Sequence, residues 1–240
     1  ADRAVQTIEP VPQAWLDQAQ TLGLTTARTA EFPSVVLAGD RPLLVAVKAV
    51  EAPYPLRGAL QLQTAVGAVP ENVRAVPESG SLWAEARLLG PLALEVGGTL
   101  SLGEKHFTLT RLLALEPDRG GGFFTGLAPR VLINYADLAA TGLIQPGSRV
   151  RYQLLLAGPE PALEQLRQWL PEDAPGLRWR TPADSDPGIR EVLERAERFL
   201  GLAALLTVVI AGVAMLLTVR RYAERQVDWV AIMRCLGATA

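Results

Sequence analysis

Histidine and cysteine are almost absent from this chain, which contains one of each, His106 and Cys235. A single cysteine excludes an intrachain disulfide, and one histidine with one cysteine is too few for the usual zinc sites. The sequence also lacks a Gly-x-Ser-x-Gly elbow, the carboxylate spacing of a calcium loop and a Gly-x-x-x-x-Gly-Lys-Ser/Thr phosphate loop. We therefore expect no catalytic, metal-binding or cofactor-binding residue. A hydrolase that uses His106 is the enzymatic alternative, for which His106→Ala would abolish turnover.

The chain has no excess of positive charge, since its formal net charge is -2 and its pI is about 5.6. This balance argues against a nucleic-acid binder, whose affinity comes mainly from neutralising phosphates. The glycine-rich stretch at residues 118–126 has no Lys-Ser/Thr pair to hold a phosphate and Mg²⁺. We interpret it as a loop in which Phe123 and Phe124 contact lipid, a partner or the core.

Charged residues are also absent from residues 199–219. A helix of this length measures about 31 Å at 1.5 Å per residue, which is enough to cross a bilayer core. Four arginines follow the run against two carboxylates, whereas arginine and glutamate balance before it. The positive-inside rule then places the C-terminal end in the cytoplasm and residues 1 to about 188 outside. Ala203, Thr207 and Ala211 recur every four residues and predict a face for helix packing, although a lone membrane anchor tolerates the same residues.

The outer part alternates between strand and helix signals, which predicts an α+β fold. Residues 12–23 indicate a short helix, and two apolar runs around Gly39 and Asp40 indicate a hairpin. Residues 99–116 indicate a second hairpin. A strand at 130–134 leads into a short helix that Asn134 caps and Gly142 ends. Residues 149–182 predict a β-α-β unit. The Pro- and Gly-rich stretch 53–91 leaves open a division of the outer part into two lobes. A further helix is predicted to begin at residues 186–187 and to continue into the membrane span.

The basic tail after the span has its own pattern. Trp229, Ile232, Met233 and Leu236 follow helical spacing and predict one apolar face on a short cytoplasmic helix, which Asp228 caps at its start and Gly237 ends. Such a helix lies either at the membrane interface or in a groove on a partner.

The tail sequence VAIMRCLGAT (residues 230–239) resembles the segment after the second transmembrane helix of FtsX/MacB-like ABC-transporter permeases. In the outer domain, YPLRG (residues 54–58), EPDRG (116–120) and the block at 127–158 are similar to the YbbP-like branch of that family. The resemblance spans nearly the whole chain. It implies a periplasmic MacB-like domain at 1–188, a stalk and second transmembrane helix at 189–219, and a cytoplasmic coupling segment at 220–240. Further helices would precede Ala1 and follow Ala240.

By the same resemblance, the protein is a bacterial inner-membrane permease without its own catalytic site. It works with a separate cytoplasmic ABC ATPase that binds ATP and Mg²⁺, and with a periplasmic esterase or thioesterase. ATP hydrolysis would drive movement of the periplasmic domain, for export or extraction of lipid or other hydrophobic compounds. The residues expected to contact the ATPase are Asp228, Trp229, Ile232, Met233, Arg234 and Leu236. Trp229 departs from the family, which often has an acidic residue there. The alternative function is a single-span receptor or sensor with a ligand-binding outer domain.

Overall fold

The computed structural model describes residues 1–118, 128–145, 147–171, 176–181 and 187–235. The strands are β1 (Arg3–Thr7), β2 (Thr25–Ala38), β3 (Arg41–Val50), β4 (Leu60–Gln63), β5 (Glu71–Val73), β6 (Ser81–Ala84), β7 (Thr99–Leu102), β8 (Lys105–Leu115), β9 (Arg130–Asn134), β10 (Arg151–Ala157) and β11 (Arg178–Arg180). The α-helices are α1 (Gln13–Thr21), α2 (Leu89–Leu92), α3 (Glu160–Trp169) and α4 (Pro187–Cys235). Short 3₁₀ turns lie at Ala86–Leu88, Tyr135–Asp137 and Ala139–Thr141. The chain divides into two units, residues 1–187 and 188–240.

Two hairpins predicted from glycine turns are confirmed. Strands β2 and β3 pair antiparallel from Thr29 with Val50 to Ala38 with Arg41. Gly39 makes the turn between them with φ +58°, a left-handed conformation that glycine adopts without steric cost. β7 and β8 form the second hairpin, in which Gly103 has φ +61°.

All the described strands belong to one mixed sheet, in the order β11-β1-β10-β2-β3-β9-β6-β8-β4-β5, with β7 pairing with both β2 and β8. Most neighbours are antiparallel, but β9 runs parallel to β3 and β8 runs parallel to β6. The predicted β-α-β unit is β10-α3-β11. It is a split unit, because β1 lies between β10 and β11 and pairs antiparallel with both. The α+β prediction is therefore confirmed.

The short helical predictions are also confirmed in their essentials. α1 buries Trp15, Leu16 and Ala19, the apolar side expected from its spacing. The Asn134 side chain accepts a hydrogen bond of 2.9 Å from the Ala136 N–H, so it caps the turn that follows β9. That turn is 3₁₀ rather than α-helical, and it ends at Gly142 with φ +64°.

Each face of the sheet carries its own hydrophobic core. A larger core contains Val45, Val47 and Ala49 of β3, while Val50 belongs to a smaller core with Leu60, Leu62, Trp83 and Leu132, among others. Successive side chains of a strand point to opposite faces, so the even-numbered residues at the end of β3 face the smaller core. Because one sheet carries both cores, residues 1–187 form one unit. The structure therefore does not divide this part of the chain into the two lobes that the sequence left open.

The second unit is helix α4, which has 49 residues and a length of about 74 Å at 1.5 Å per residue. It begins at Pro187, as predicted. Our prediction that Asp228 begins a separate cytoplasmic helix is wrong, because α4 continues through that residue to Cys235. Residues 220–228 contain Arg, Ala, Glu and Gln without Gly or Pro, so nothing in them interrupts a helix. The proposed C-terminal stop at Gly237 lies outside the described residues.

Candidate functional site: a buried charge cluster, a cleft and an apolar helix

Charged side chains lie buried at the centre of the sheet, on the face of the smaller core. Glu31 of β2 is directly opposite Lys48 of β3, and Arg130 of β9 is in register with Ala46, two residues before Lys48. The side chains of Lys48 and Arg130 are each 1% exposed. Charges at such positions are costly unless they are paired, so their partners decide whether this part of the sheet is stable.

The Lys48 ammonium is surrounded by acceptors. Its Nζ donates to Glu116 Oε1 at 2.6 Å, to the Tyr54 hydroxyl at 3.0 Å and to Asp118 Oδ2 at 3.2 Å. Glu31 Oε1 lies 3.6 Å away. An ammonium has three donors, and here each has a hydrogen-bond acceptor in the protein.

Arg130 completes the cluster from the neighbouring strand. Its Nε donates to Glu116 Oε2 at 2.9 Å, and a terminal nitrogen lies 3.4 Å from Glu31 Oε1. Glu116 therefore bridges the two buried cations, one with each carboxylate oxygen. The outer oxygen of Glu31 lies 3.5 Å from Arg151 of β10, a partly exposed side chain. We call Glu31, Lys48, Tyr54, Glu116, Asp118 and Arg130 the charge cluster.

The cluster joins the two short motifs that carried the family resemblance, YPLRG and EPDRG. The Tyr54 hydroxyl donates to a carboxylate oxygen of Asp118 and lies 3.2 Å from Glu116 Oε1. Gly58, with φ +74°, lies so close to Pro117 that a Cβ on it would be 3.4 Å from the proline Cβ. Two segments distant in sequence are thus fixed to each other and to β3.

The charge states of the cluster follow from this geometry. Burial favours the neutral amine of Lys48, but Asp118, Glu116 and Glu31 outweigh it and raise its pKa well above the ordinary value. Burial likewise opposes ionisation of Asp118, yet the Lys48 charge and the hydrogen bonds from Tyr54 and Lys48 lower its pKa. Burial raises the pKa of Tyr54 well above its usual value, so its hydroxyl stays neutral and donates. Lys48 and Asp118 are therefore an ion pair at neutral pH.

A cleft of about 320 Å³ opens beside the cluster, and Glu31 and Asp118 contribute to its wall. Gln153 and Leu155 of β10 and Ala4 of β1 also line it. Four arginines surround the same space, namely Arg3, Arg57, Arg151 and Arg180. The cleft belongs entirely to the first unit.

Helix α4 carries the predicted membrane segment. Residues Phe199–Tyr222 are long and apolar enough to cross a bilayer, with mean hydropathy 2.6 and none of the window buried inside the protein. Ala203, Thr207 and Ala211, predicted to form a packing face, are exposed. The Thr207 hydroxyl donates to the Ala203 carbonyl at 2.8 Å, so it needs no other partner in a lipid environment.

The expected ATPase-contact residues lie at the end of α4, except Leu236, which is outside the described residues. Ile232 is 55% exposed. Asp228, Trp229, Met233 and Arg234 are part of the helix, and at 100° per residue Trp229, Ile232 and Met233 share one face. Nothing beyond the helical backbone is described for those four. Phe123 and Phe124 also lie outside the described residues.

His106 makes an ordinary surface contact, in which its Nδ1 and the Ser101 hydroxyl are 2.9 Å apart across the β7-β8 hairpin. Within the described ranges, no group of three or more His, Cys, Asp or Glu side chains is placed to hold a metal ion.

Sequence reasoning missed the charge cluster and the cleft. One signal was present, since Lys48 interrupts an otherwise apolar strand and Glu31 lies between buried neighbours. A buried charge requires a partner, but Glu116 is 68 residues from Lys48 and Arg130 is 99 residues from Glu31 along the chain, so linear order does not pair them.

Comparison with known proteins gives one curated relative of high similarity. The chain is 36% identical over 238 residues to YbbP, an ABC transporter permease of Escherichia coli (strain K12), and the match covers 99% of this chain. The chain spans only 28% of the length of that relative. No family model matches the sequence.

Among solved structures, the periplasmic region of MacB from Actinobacillus actinomycetemcomitans matches with TM-score 0.47 and 10% identity, over 81% of this chain and 93% of that one. The extracellular domain of the ABC-type transporter YknZ from Gram-positive bacteria matches with TM-score 0.46 and 8% identity, over 75% of this chain and 100% of that one.

Proposed function

The chain belongs to the FtsX/MacB-like family of ABC-transporter permeases, in the branch of YbbP, and from this membership we propose that it transmits force within such a transporter. ATP hydrolysis by a separate cytoplasmic ATPase moves α4, and α4 moves the outer unit, residues 1–187. The chain itself performs no catalysis, and ATP and Mg²⁺ are bound by the ATPase. The transported compounds are lipids or other hydrophobic molecules, which a periplasmic esterase or thioesterase processes.

The observation that carries this proposal is the continuity of α4. The helix begins at Pro187, contains the apolar segment Phe199–Tyr222 and ends at Cys235 without a break. A continuous helix is stiff along its axis, so displacement of one end moves the other. A hinge or an unwound turn in the same place would absorb the displacement.

The arginines at positions 220, 221, 225 and 234 support an orientation in the bacterial inner membrane with the C-terminal end in the cytoplasm and residues 1 to about 188 in the periplasm. The last two turns of α4, with Asp228, Trp229, Ile232, Met233 and Arg234, then lie where a cytoplasmic ATPase binds. Leu236 continues the same apolar spacing. An amphipathic helix end that presents such a face fits a groove on a partner.

The first experiment breaks the helix between the outer unit and the span. Ala196 is exposed within α4, so Ala196→Pro removes a backbone hydrogen bond and kinks the helix without disturbing a buried side chain. Ala196→Ser is the matched control. In full-length permease reconstituted with its ATPase, we expect Ala196→Pro to abolish transport while the complex still assembles, and Ala196→Ser to retain transport. Normal transport by Ala196→Pro would refute mechanical transmission through α4.

The second experiment tests the ATPase contact. Ile232→Ala combined with Leu236→Ala removes two side chains from the predicted contact face, and Val227→Ala truncates a residue that helical periodicity places on the opposite side. We expect the double variant to lose coupling between ATP hydrolysis and the permease, whereas Val227→Ala behaves as the parent. Unchanged complex formation and coupling in the double variant would show that the ATPase binds elsewhere.

Purification also separates the permease from a single-span receptor. A permease co-purifies with a cytoplasmic ATPase, and lipid analysis of the bound material identifies the class of substrate. A receptor with a simple anchor predicts no ATPase in the complex, and that result would favour the alternative.

A further inference from the structure

A groove lies at one edge of strand β2, where the pairing of that strand is interrupted. β10 pairs with this edge of β2 as far as Glu31, and β7 pairs with it only from Val36 onward. Between those two positions, no described strand pairs with β2 on this edge. A groove of about 160 Å³ opens there, and residues 148–150, which precede β10, also line it.

The lining of this groove combines an apolar floor with one cation. Phe32, Val150 and Leu143 line it, and the first two are 8% and 7% exposed. Arg149 lines it too and is exposed, and it alone is charged among the described lining residues. In the part of the chain that the structure describes, the Arg149 guanidinium makes no hydrogen bond or ion pair. Its donors are therefore available to a ligand.

An exposed apolar strip continues from the groove along the β2-β3 hairpin. Pro33 lines the groove, and Val35 and Leu37 follow it on the same face of β2, because the residues of a strand alternate between faces. Leu44 of β3 lies directly opposite Val35. Val35, Leu37 and Leu44 are 45%, 44% and 47% exposed, whereas Val36 is fully buried on the other face. The solvent face of such a hairpin is usually polar, so an apolar one indicates a binding surface.

We propose that the groove and the strip bind a fatty carboxylate, with its head at Arg149 and its alkyl chain along β2 toward Leu37. One guanidinium matches one carboxylate through two parallel hydrogen bonds. An apolar cavity of about 150 Å³ holds a benzene molecule, so the groove has room for a segment of an alkyl chain and not for a whole lipid. The rest of the chain lies on the strip, where binding removes apolar surface from water.

The biological source of this ligand rests on the proposed function, whereas its binding rests on the geometry of the groove. Hydrolysis of an ester or thioester releases a carboxylate, so the ligand is a product of the processing step proposed above. Binding requires neither ATP nor the ATPase nor the esterase. A permease that fails to bind the acid therefore leaves force transmission through α4 standing, and a permease that fails to transport still binds the acid.

The test uses full-length permease in lipid nanodiscs and two photoreactive probes, dodecanoic acid and dodecanol, with a diazirine at the same chain position. At about pH 8 the carboxyl group is ionised. After irradiation, mass spectrometry maps the labelled residues. We expect the acid to label residues 32–37 and 42–44, and to half-saturate them at a concentration at least tenfold lower than the alcohol. Labelling of Phe199–Tyr222 in α4 reports how much of each probe enters the bilayer.

Variants assign the labelling to the groove and the strip. Arg149→Gln should raise the half-saturating concentration of the acid at least tenfold and leave that of the alcohol unchanged. Arg167→Gln, at an exposed arginine of α3, should change neither. Leu37→Ser combined with Leu44→Ser removes apolar surface and should weaken labelling by both probes. Val69→Ser, at a residue that is 85% exposed outside the strip, is its matched control.

Three results overturn the proposal. The first is an unchanged half-saturating concentration of the acid in Arg149→Gln, and the second is equal labelling of the strip by acid and alcohol. The third is the absence of labelling at residues 32–44, which would show that another part of the permease covers the strip. Competition measures the role of the chain, since excess unlabelled dodecanoate should prevent labelling at least tenfold more effectively than hexanoate. Equal competition by the two acids would contradict binding along the strip.

Discussion

Lys48→Met is the sharpest test of the charge cluster, because methionine is an unbranched side chain of similar length that lacks the charge and the hydrogen-bond donors of the ammonium. In the parent protein, the ammonium lies within 3.6 Å of three carboxylates and 3.0 Å of the Tyr54 hydroxyl. Without it, Glu31 and Glu116 keep the buried cation Arg130, whereas Asp118 loses its cationic partner and keeps the hydrogen bond from Tyr54. Removing one partner of a buried ion pair costs about 3–5 kcal/mol, since a charge is left without compensation. At about 2–4 °C per kcal/mol for a domain of this size, the melting temperature should fall by about 6–20 °C.

The assay is thermal unfolding of the chain in detergent micelles, followed by tryptophan fluorescence, to which Trp83, 7% exposed in the smaller core, contributes. The control is Arg167→Met, which removes an exposed ion pair with Glu164 and should cost less than about 1 kcal/mol. Lys48→Met and Glu116→Gln together should cost less than the sum of the single changes, by about 0.5–3 kcal/mol, because the two residues are in contact. A Lys48→Met melting temperature equal to that of Arg167→Met, or strict additivity with Glu116→Gln, would refute the reasoning.

Three further predictions concern acid stability, a turn and topology. The pKa of Asp118 is lower in the folded protein than in the unfolded chain, so the unfolded state binds more protons as pH falls. The stabilisation from Asp118 should therefore be full above about pH 5 and decline below about pH 4. Denaturation midpoints measured between pH 6 and pH 3 should fall less steeply in Asp118→Asn than in the parent. Gly103→Ala should lower the free energy of unfolding far more than Gly39→Ala in chemical denaturation. At both positions the positive φ costs an alanine about 1–2 kcal/mol. A Cβ on Gly103 would in addition lie 2.0 Å from the Thr141 carbonyl oxygen, whereas one on Gly39 meets nothing within 4 Å. Equal losses of stability in the two variants would contradict this prediction and show that the turn at Gly103 moves to accommodate the added methyl group. In full-length permease whose only cysteine is Cys235, a membrane-impermeant maleimide should label that residue only after the cells are opened, and labelling of intact cells would reverse the proposed orientation.

The predictable part of the fold is the part governed by local chemistry. The β2-β3 hairpin follows from apolar runs on either side of Gly39, and the Asn134 cap follows from a side chain that bonds a backbone two residues away. Helix α4 follows from composition, because it contains a long run of apolar residues and no proline after Pro187. The continuation of the helix past Asp228 was missed because aspartate is found both as an N-cap and inside helices. The residues around Asp228 carry no local signal that separates these two roles.

The sheet order and the charge cluster depend on long-range pairing, which local signals do not encode. Lys48 is on β3, whereas Glu116 directly follows β8, which is not a neighbour of β3 in the sheet. Asp118 reaches the cluster only because β8 ends beside Tyr54. The family resemblance had singled out both YPLRG and EPDRG, yet nothing in either motif says that they meet. The structure explains why such motifs occur together, since the tyrosine of one bonds the carboxylates of the other.

Stability alone does not account for such a cluster, because well-packed apolar residues in place of a buried ion pair are often neutral or stabilising. Apolar contacts do not depend strongly on orientation, whereas hydrogen bonds and ion pairs fix which donor faces which acceptor. Here Glu116 joins Lys48 to Arg130, and Lys48 joins β3 to the segment that ends at Asp118. Glu31 and Asp118 are members of the cluster and also part of the cleft wall. Lys48 thereby fixes the positions of two carboxylates of the cleft wall. Substitution of Lys48 should therefore alter the charge and the shape of the cleft even where the domain remains folded.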